Sequence, residues 1–142
     1  MKATTTDPQR SAVMRAVRSK DTTTELIVRR LIHSMGFRYR LHQKELPGTP
    51  DLVFPGRRKV VFVHGCFWHG HECSRGARKP KSNADYWQAK IARNIKRDER
   101  NNEALREAEW DVMTVWECDT KVSAREDLSA RLMAFLGSES RR

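Results

Sequence analysis

No run of apolar residues in this chain approaches the ~20 needed to cross a bilayer, and the segment from Met1 to Arg10 lacks the apolar core of a secretion signal. Both absences predict a cytoplasmic protein. Cysteine is scarce: three residues among 142 cannot all pair with one another, so no disulfide framework is expected. In a reducing compartment a Cys–His cluster is more often a metal site. Internal repeats and low-complexity tracts are missing as well. Acidic residues are outnumbered, 18 Asp plus Glu against 28 Lys plus Arg, giving a formal charge of +10 and a pI near 10.1. Such a surplus attracts polyanions at long range and puts nucleic acid first among partner classes, although charge alone serves a soluble basic protein equally well. With 38% hydrophobic residues, a chain of this length supports one core rather than two.

Residues 1–10 are polar, contain Pro8 and show no period, and read as a flexible tail. Over residues 11–20, Val13, Met14 and Val17 are interspersed with Arg15, Arg18 and Lys20, the pattern of a basic DNA-binding arm; Met14 packed on the core is the competing reading. One domain is expected over residues 21–136, with a frayed tail at 137–142. Thr22 and Glu25 have the spacing of a capping box, Leu26, Ile27, Leu31, Ile32 and Met35 recur at helical intervals, and Gly36 is placed to end the helix. Phe37, Tyr39 and Leu41 alternate with Arg38, Arg40 and His42, the period of a half-buried strand. Residues 51–54 and 59–63 flank the turn-forming Pro55-Gly-Arg-Arg58 and predict a hairpin. With Phe54 facing Lys59, Asp51 falls opposite Phe62, which brings a carboxylate, the end of the second strand and His64 to one corner of the sheet.

A helix from Asp85 to about Glu107 is expected to bury Tyr86, Trp87, Ile91, Ile95 and Leu105. Its other face carries Lys90, Arg93, Lys96, Arg97 and Arg100, which either track phosphates or form ordinary solvated surface. A strand over residues 110–117 then delivers Cys118, and Ser123 with Glu126 are spaced to cap a last helix bearing Leu128, Leu132, Phe135 and Leu136.

The densest chemistry lies in Val60-Val-Phe-Val-His-Gly-Cys-Phe-Trp-His-Gly-His-Glu-Cys73, where an apolar strand runs into three histidines and two cysteines. Cys66, His71 and Cys73, joined by Cys118, offer three sulfurs and one imidazole, a set suited to a closed tetrahedral zinc. His69 competes with His71 for the fourth position; His71 is preferred because one residue separates it from Cys73, so a tight turn aims both inward. Three reduced core cysteines are the bland alternative. A closed zinc does no chemistry and serves to pin the loop. The reactive groups are then Asp51, His64, His69 and Glu25, with Mg²⁺ held by the Asp51 carboxylate and the Val63 carbonyl, and an imidazole taking the proton of an attacking water. That set describes phosphodiester hydrolysis. Against it stand a Glu25 that only caps its helix, an Asp51 that only serves a Pro-Asp turn and a His64 satisfied in the core.

Taken together, Met14-Arg-Ala, Glu25, Leu46-Pro-Gly-Thr-Pro-Asp51, His64-Gly-Cys-Phe-Trp-His69, His71, Cys73, Tyr86-Trp87, Asn94, Arg97-Asp98 and Trp116-Glu-Cys118 resemble the very short patch repair (Vsr) mismatch endonucleases of bacteria, from about Ser11 through Cys118. The resemblance implies an α/β fold of the PD-(D/E)xK restriction-endonuclease type, a central mixed sheet flanked by helices, with a structural zinc. It implies that Asp51 and the Val63 carbonyl hold Mg²⁺, that Glu25 orients water, that His69 is the base with His64 assisting at the phosphate, and that Cys66, His71, Cys73 and Cys118 bind zinc. The implied substrate is double-stranded DNA with a T·G mismatch left by deamination of 5-methylcytosine. The thymine strand is nicked on its 5′ side, and mismatch-repair proteins and a repair polymerase are the implied partners of a monomer associated with the nucleoid. The Glu-x-Lys pair of the wider superfamily is absent; Val63-His64-Gly65 stands there, as in the very short patch branch.

Phe67 and Trp68 are expected to face DNA and wedge between base pairs, with Met14 as a second wedge. Arg15, Arg18, Lys90, Arg93 and Arg97 are the candidate phosphate contacts. A zinc-stabilised DNA-binding module without catalysis is the main alternative, and it has no need of Asp51, His64 and His69 together. A zinc nucleobase deaminase fits poorly, because His-x-Glu followed by Pro-Cys-x-x-Cys is missing. An HNH-type nuclease predicts that His64→Ala is fatal and Asp51→Ala tolerated.

Overall fold

The computed structural model describes residues 22–66 and 84–137. Helix α1 spans Thr23–Ser34 and ends as expected, with Met35 as C-cap and Gly36 at φ +91°. Its buried stripe is Glu25, Val28 and Ile32, with Leu31 and Met35 packed at the margin, so Leu26 and Ile27 are only half-buried. The helix is rotated from the expected face because the Glu25 carboxylate has partners inside. The strand expected over 37–42 shortens to β1, Arg40–Leu41, and both residues are exposed; Phe37 and Tyr39 still pack against the core. A left-handed residue, His42 at φ +46°, ends the strand at once.

The loop that follows turns at Gly48, φ +78°, where a side chain would meet Asn101 and the Phe62 ring at 3.0–3.1 Å. Close approach and positive φ both call for glycine. The hairpin then has the expected register: β2, Leu52–Phe54, pairs antiparallel with β3, Lys59–His64, with Phe54 opposite Lys59 and Leu52 opposite Val61. A 3₁₀ turn at Pro55–Arg57 and a left-handed Arg58, φ +56°, join them.

Helix α2, Ala84–Glu107, crosses over to β4, Asp111–Trp116, which runs parallel to β3. The sheet order is β1-β2-β3-β4, antiparallel except for the last pair. Alternation along the strands separates two cores. Leu52, Phe54, Val61 and Val115 face α1 and the last helix, α3 (Arg125–Gly137), meeting Val28, Ile32, Leu128, Leu132 and Leu136. Val53, Val60 and Phe62 face the other way, toward Leu105 and Trp110. Each fully buried leucine of α3 contributes roughly 1.5–3 kcal/mol through burial. The expected cap at Ser123 does not form: Val122–Ala124 is a 3₁₀ turn and α3 starts beyond it. The expected buried side of α2 also needs correction, since Tyr86 is 56% exposed and only Leu105 of the five is fully inside.

Candidate active site

Glu25 enters from the first turn of α1. Its N–H is capped by Thr22 Oγ1 at 3.1 Å, but its carboxylate turns inward, 2% exposed. Oε2 accepts from the Arg29 guanidinium one turn along and lies 3.0 Å from His42 Nε2. These partners offset the cost of burying a charge. Glu25 therefore does more than cap.

His42 was not among the candidates read from the sequence. It leaves β1 in the left-handed region, donates its backbone N–H to the Asp51 carbonyl at 3.1 Å, and its Nε2 also lies 4.0 Å from Asp51 Oδ1. Asp51, immediately before β2, accepts the Val63 N–H on Oδ2 at 2.7 Å. The hairpin register produces that bond, since Asp51 continues β2 toward the end of β3.

One ligating atom from each of Glu25, His42 and Asp51 lies within 4.8 Å of the other two. Burial is the main reason that the Asp51 pKa rises to about 7; the Val63 N–H opposes the rise and the Glu25 carboxylate adds to it. Two carboxylates that repel each other, with an imidazole beside them, are a donor set suited to a divalent cation.

His64 reaches the end of β3 from the other face of the sheet. It is 7% exposed, with its ring 5.5 Å from Phe62 and 5.3 Å from Trp116 between centroids, and Nδ1 lies 4.0 Å from Asp98 Oδ2 on α2. Asp98 appeared in the family likeness without a role; its position against His64 gives it one to test. On the same helix Lys90 lies over the Trp87 ring at 5.9 Å, Arg93 is exposed, and Arg97 stands 3.7 Å from Asp98. The groove beside α1, about 330 Å³, is lined by Leu26, Arg29, Arg30, His33, Ser34 and Tyr39.

Cys66, fully buried just after β3, and Cys118, in the 3₁₀ turn Glu117–Thr120 after β4, meet where the two strands end. The Cys118 N–H donates to Cys66 Sγ at 3.3 Å, and the Cys66 N–H to Glu117 Oε1 at 3.4 Å. The parallel pairing of β3 and β4, His64 beside Trp116, brings these two turns together. Met14, Arg15, Arg18, Phe67, Trp68, His69, His71 and Cys73 lie outside the described residues.

The family described as DNA mismatch endonuclease Vsr matches residues 3–75. The Type II nicking enzyme V.XorIIP of Xanthomonas oryzae pv. oryzae is 53% identical over 128 residues, 90% of this chain and 92% of that protein. The DNA mismatch endonuclease Vsr of Escherichia coli is 40% identical over 133 residues, 92% of this chain and 85% of that protein. The Type II nicking enzyme V.NmeAIP of Neisseria meningitidis is 44% identical over 119 residues, 84% of each chain. Likeness of this extent along most of the sequence, on a mixed α/β fold with two carboxylates meeting at the hairpin's end, makes the chain a member of the DNA mismatch endonuclease Vsr family and a DNA endonuclease.

Proposed function

We propose that the protein nicks duplex DNA on the 5′ side of the thymine in a T·G mismatch, by Mg²⁺-dependent hydrolysis of the phosphodiester, and so starts short patch repair. The observation that carries the hydrolytic part is the convergence of Glu25 and Asp51, with His42, where β3 ends. A divalent cation bound there supplies positive charge that polarises a phosphate oxygen and acidifies water. Asp51 holds it through a carboxylate oxygen. The Val63 carbonyl is supported as a further ligand, since the N–H and C=O of a strand residue point to the same side and the Val63 N–H points at Asp51. Glu25, anchored by Arg29, orients the attacking water; His69 takes its proton; His64, held near Asp98, assists at the phosphate.

Zinc on Cys66, His71, Cys73 and Cys118 is supported by the contact between the Cys66 and Cys118 turns. Filled by four protein ligands, such a site has no place for substrate, and its work is to fix the segment bearing Phe67, Trp68 and His69. Phe67 and Trp68 wedge the mismatched step apart, opposed by Met14. Arg15, Arg18, Lys90, Arg93 and Arg97 hold phosphates, and the basic groove with Arg29, Arg30 and His33 beside Glu25 extends the same attraction.

Duplexes labelled on each strand and carrying T·G, T·A or C·G at one position test this reading, with and without Mg²⁺. A single nick on the thymine strand of T·G, absent without Mg²⁺, is the expected result. Equal cutting of the matched duplexes would remove the mismatch specificity, and preferential binding of T·G with no cut in any sequence context would leave a binding module.

A further inference from the structure

We infer that His42 is a positioning residue: its ring braces the Glu25 carboxylate against the strand that follows Asp51, and so sets where Glu25 holds the attacking water. The inference rests on the reading of Glu25 as the group that orients that water, and it leaves the cation on Asp51 and the Val63 carbonyl.

Glu25 and Asp51 reach the site from different elements, one in the first turn of α1 and one immediately before β2, and their carboxylates repel each other. Their spacing needs a brace. Arg29 alone does not supply it, because its guanidinium rides on the same helix one turn along from Glu25 and moves with it. His42 bridges the two elements. Its backbone N–H donates to the Asp51 carbonyl at 3.1 Å, the ladder bond that continues the β1–β2 register beyond Leu41 opposite Leu52, while its Nε2 lies 3.0 Å from Glu25 Oε2. That oxygen already accepts from Arg29, so Glu25 is the ionised acceptor and the imidazole donates, with its proton on Nε2. Both donors take Oε2 and neither takes Oε1, the oxygen left to hold water. The ring stands beyond hydrogen-bond range of Asp51, 4.0 Å from Nε2 to Oδ1. His42 therefore acts on Glu25 through its side chain and is tied to Asp51 through its backbone. A His42 that served the fold alone would cost stability and leave the rate per folded molecule unchanged.

Single-turnover nicking of a T·G duplex by the full chain at saturating Mg²⁺ tests the inference in His42→Asn, His42→Gln, Glu25→Gln and the double variant, with duplex affinity and Mg²⁺ half-saturation measured alongside. Asparagine keeps the left-handed backbone that His42 adopts, φ +46°, but its amide is too short to reach Glu25 Oε2. The glutamine amide reaches it. His42→Asn should lower the rate per folded molecule ~10–100-fold, the range that outer partners of a metal site command, with both affinities within a few-fold of wild type. His42→Gln should recover most of that loss. Added to Glu25→Gln, itself slow, His42→Asn should cost little more, because the carboxylate that it positions no longer acts. Three results would each overturn the role of His42 and leave Glu25 standing: His42→Asn at the wild-type rate beside a slow Glu25→Gln, His42→Gln as slow as His42→Asn, or a full-sized His42→Asn effect in the Glu25→Gln background. Glu25→Gln at the wild-type rate would overturn the reading of Glu25 and this inference with it.

Discussion

At Asp51 burial, helped by the Glu25 carboxylate, outweighs the Val63 N–H and lifts the pKa to about 7. A carboxyl whose folded pKa exceeds its unfolded value of 3.8 favours folding in its protonated form. Its stabilisation is complete below about pH 4 and is lost as pH rises through 7. Asp51→Asn removes this dependence, so in EDTA the variant should gain stability relative to wild type between pH 5 and 8, read as the difference in Tm. A cation must displace the same proton. Its affinity for wild type should therefore weaken about tenfold per unit as pH falls below 7, measured by calorimetry at fixed ionic strength. Asp51 and Glu25 were legible in the sequence because each stands at a point fixed by local rules, one after Pro50 at a hairpin end and one at the third position of a capped helix. His42 was not. Alternation made it the outward residue of a half-buried strand, and no glycine marked the left-handed turn that brings its ring back to Glu25.

Among the elements, the hairpin's register was readable, since the Pro55-Gly56 turn with Phe54 opposite Lys59 pairs Leu52 with Val61, although β2 starts and β3 ends one residue later than expected. Helix α2 was not. At 24 residues it runs ~36 Å, while a six-residue strand spans only ~20 Å. Its first turns therefore extend past the sheet, and Tyr86 stays exposed where periodicity predicted burial. Lys59 is a second surprise of this kind. It lies on the core side of β3, wholly buried, donating its ammonium to the Phe135 carbonyl, while Arg57 donates to the Leu136 carbonyl at 2.8 Å. The two cations satisfy carbonyls in the last turn of α3 and lock that helix to the hairpin. Lys59→Ala leaves both a cavity and an unsatisfied carbonyl, and should cost about 2–4 kcal/mol in urea denaturation, with the nicking rate of the folded fraction little changed.

For the whole molecule, the proposed zinc site and the net charge each carry a prediction. Cys118→Ser, which breaks the proposed zinc set at the one ligand distant in sequence, should lower Tm by roughly 5 °C or more and release zinc stoichiometrically to a chromogenic chelator; an unchanged Tm with no zinc found in the wild type would argue for reduced core thiols. With a formal charge of +10, binding to matched duplex should weaken steeply between 50 and 200 mM salt, by ~10³-fold or more if about six phosphates are held. The mixed α/β plan was legible from strand and helix periods, whereas the meeting of Cys66 with Cys118 depends on β4 lying parallel beside β3, a pairing that no local pattern announces. In the proposed function, catalysis depends on one corner of this plan. The direct test is a single-turnover nicking assay on a T·G duplex, paired with a binding measurement, for wild type and Asp51→Asn. The account predicts a fall of at least ~10³-fold in rate, the scale of losing a group that acts in the transition state, with affinity for the mismatch within a few-fold of wild type. A variant that nicks at the wild-type rate would contradict it and move the chemistry away from the Glu25–His42–Asp51 cluster.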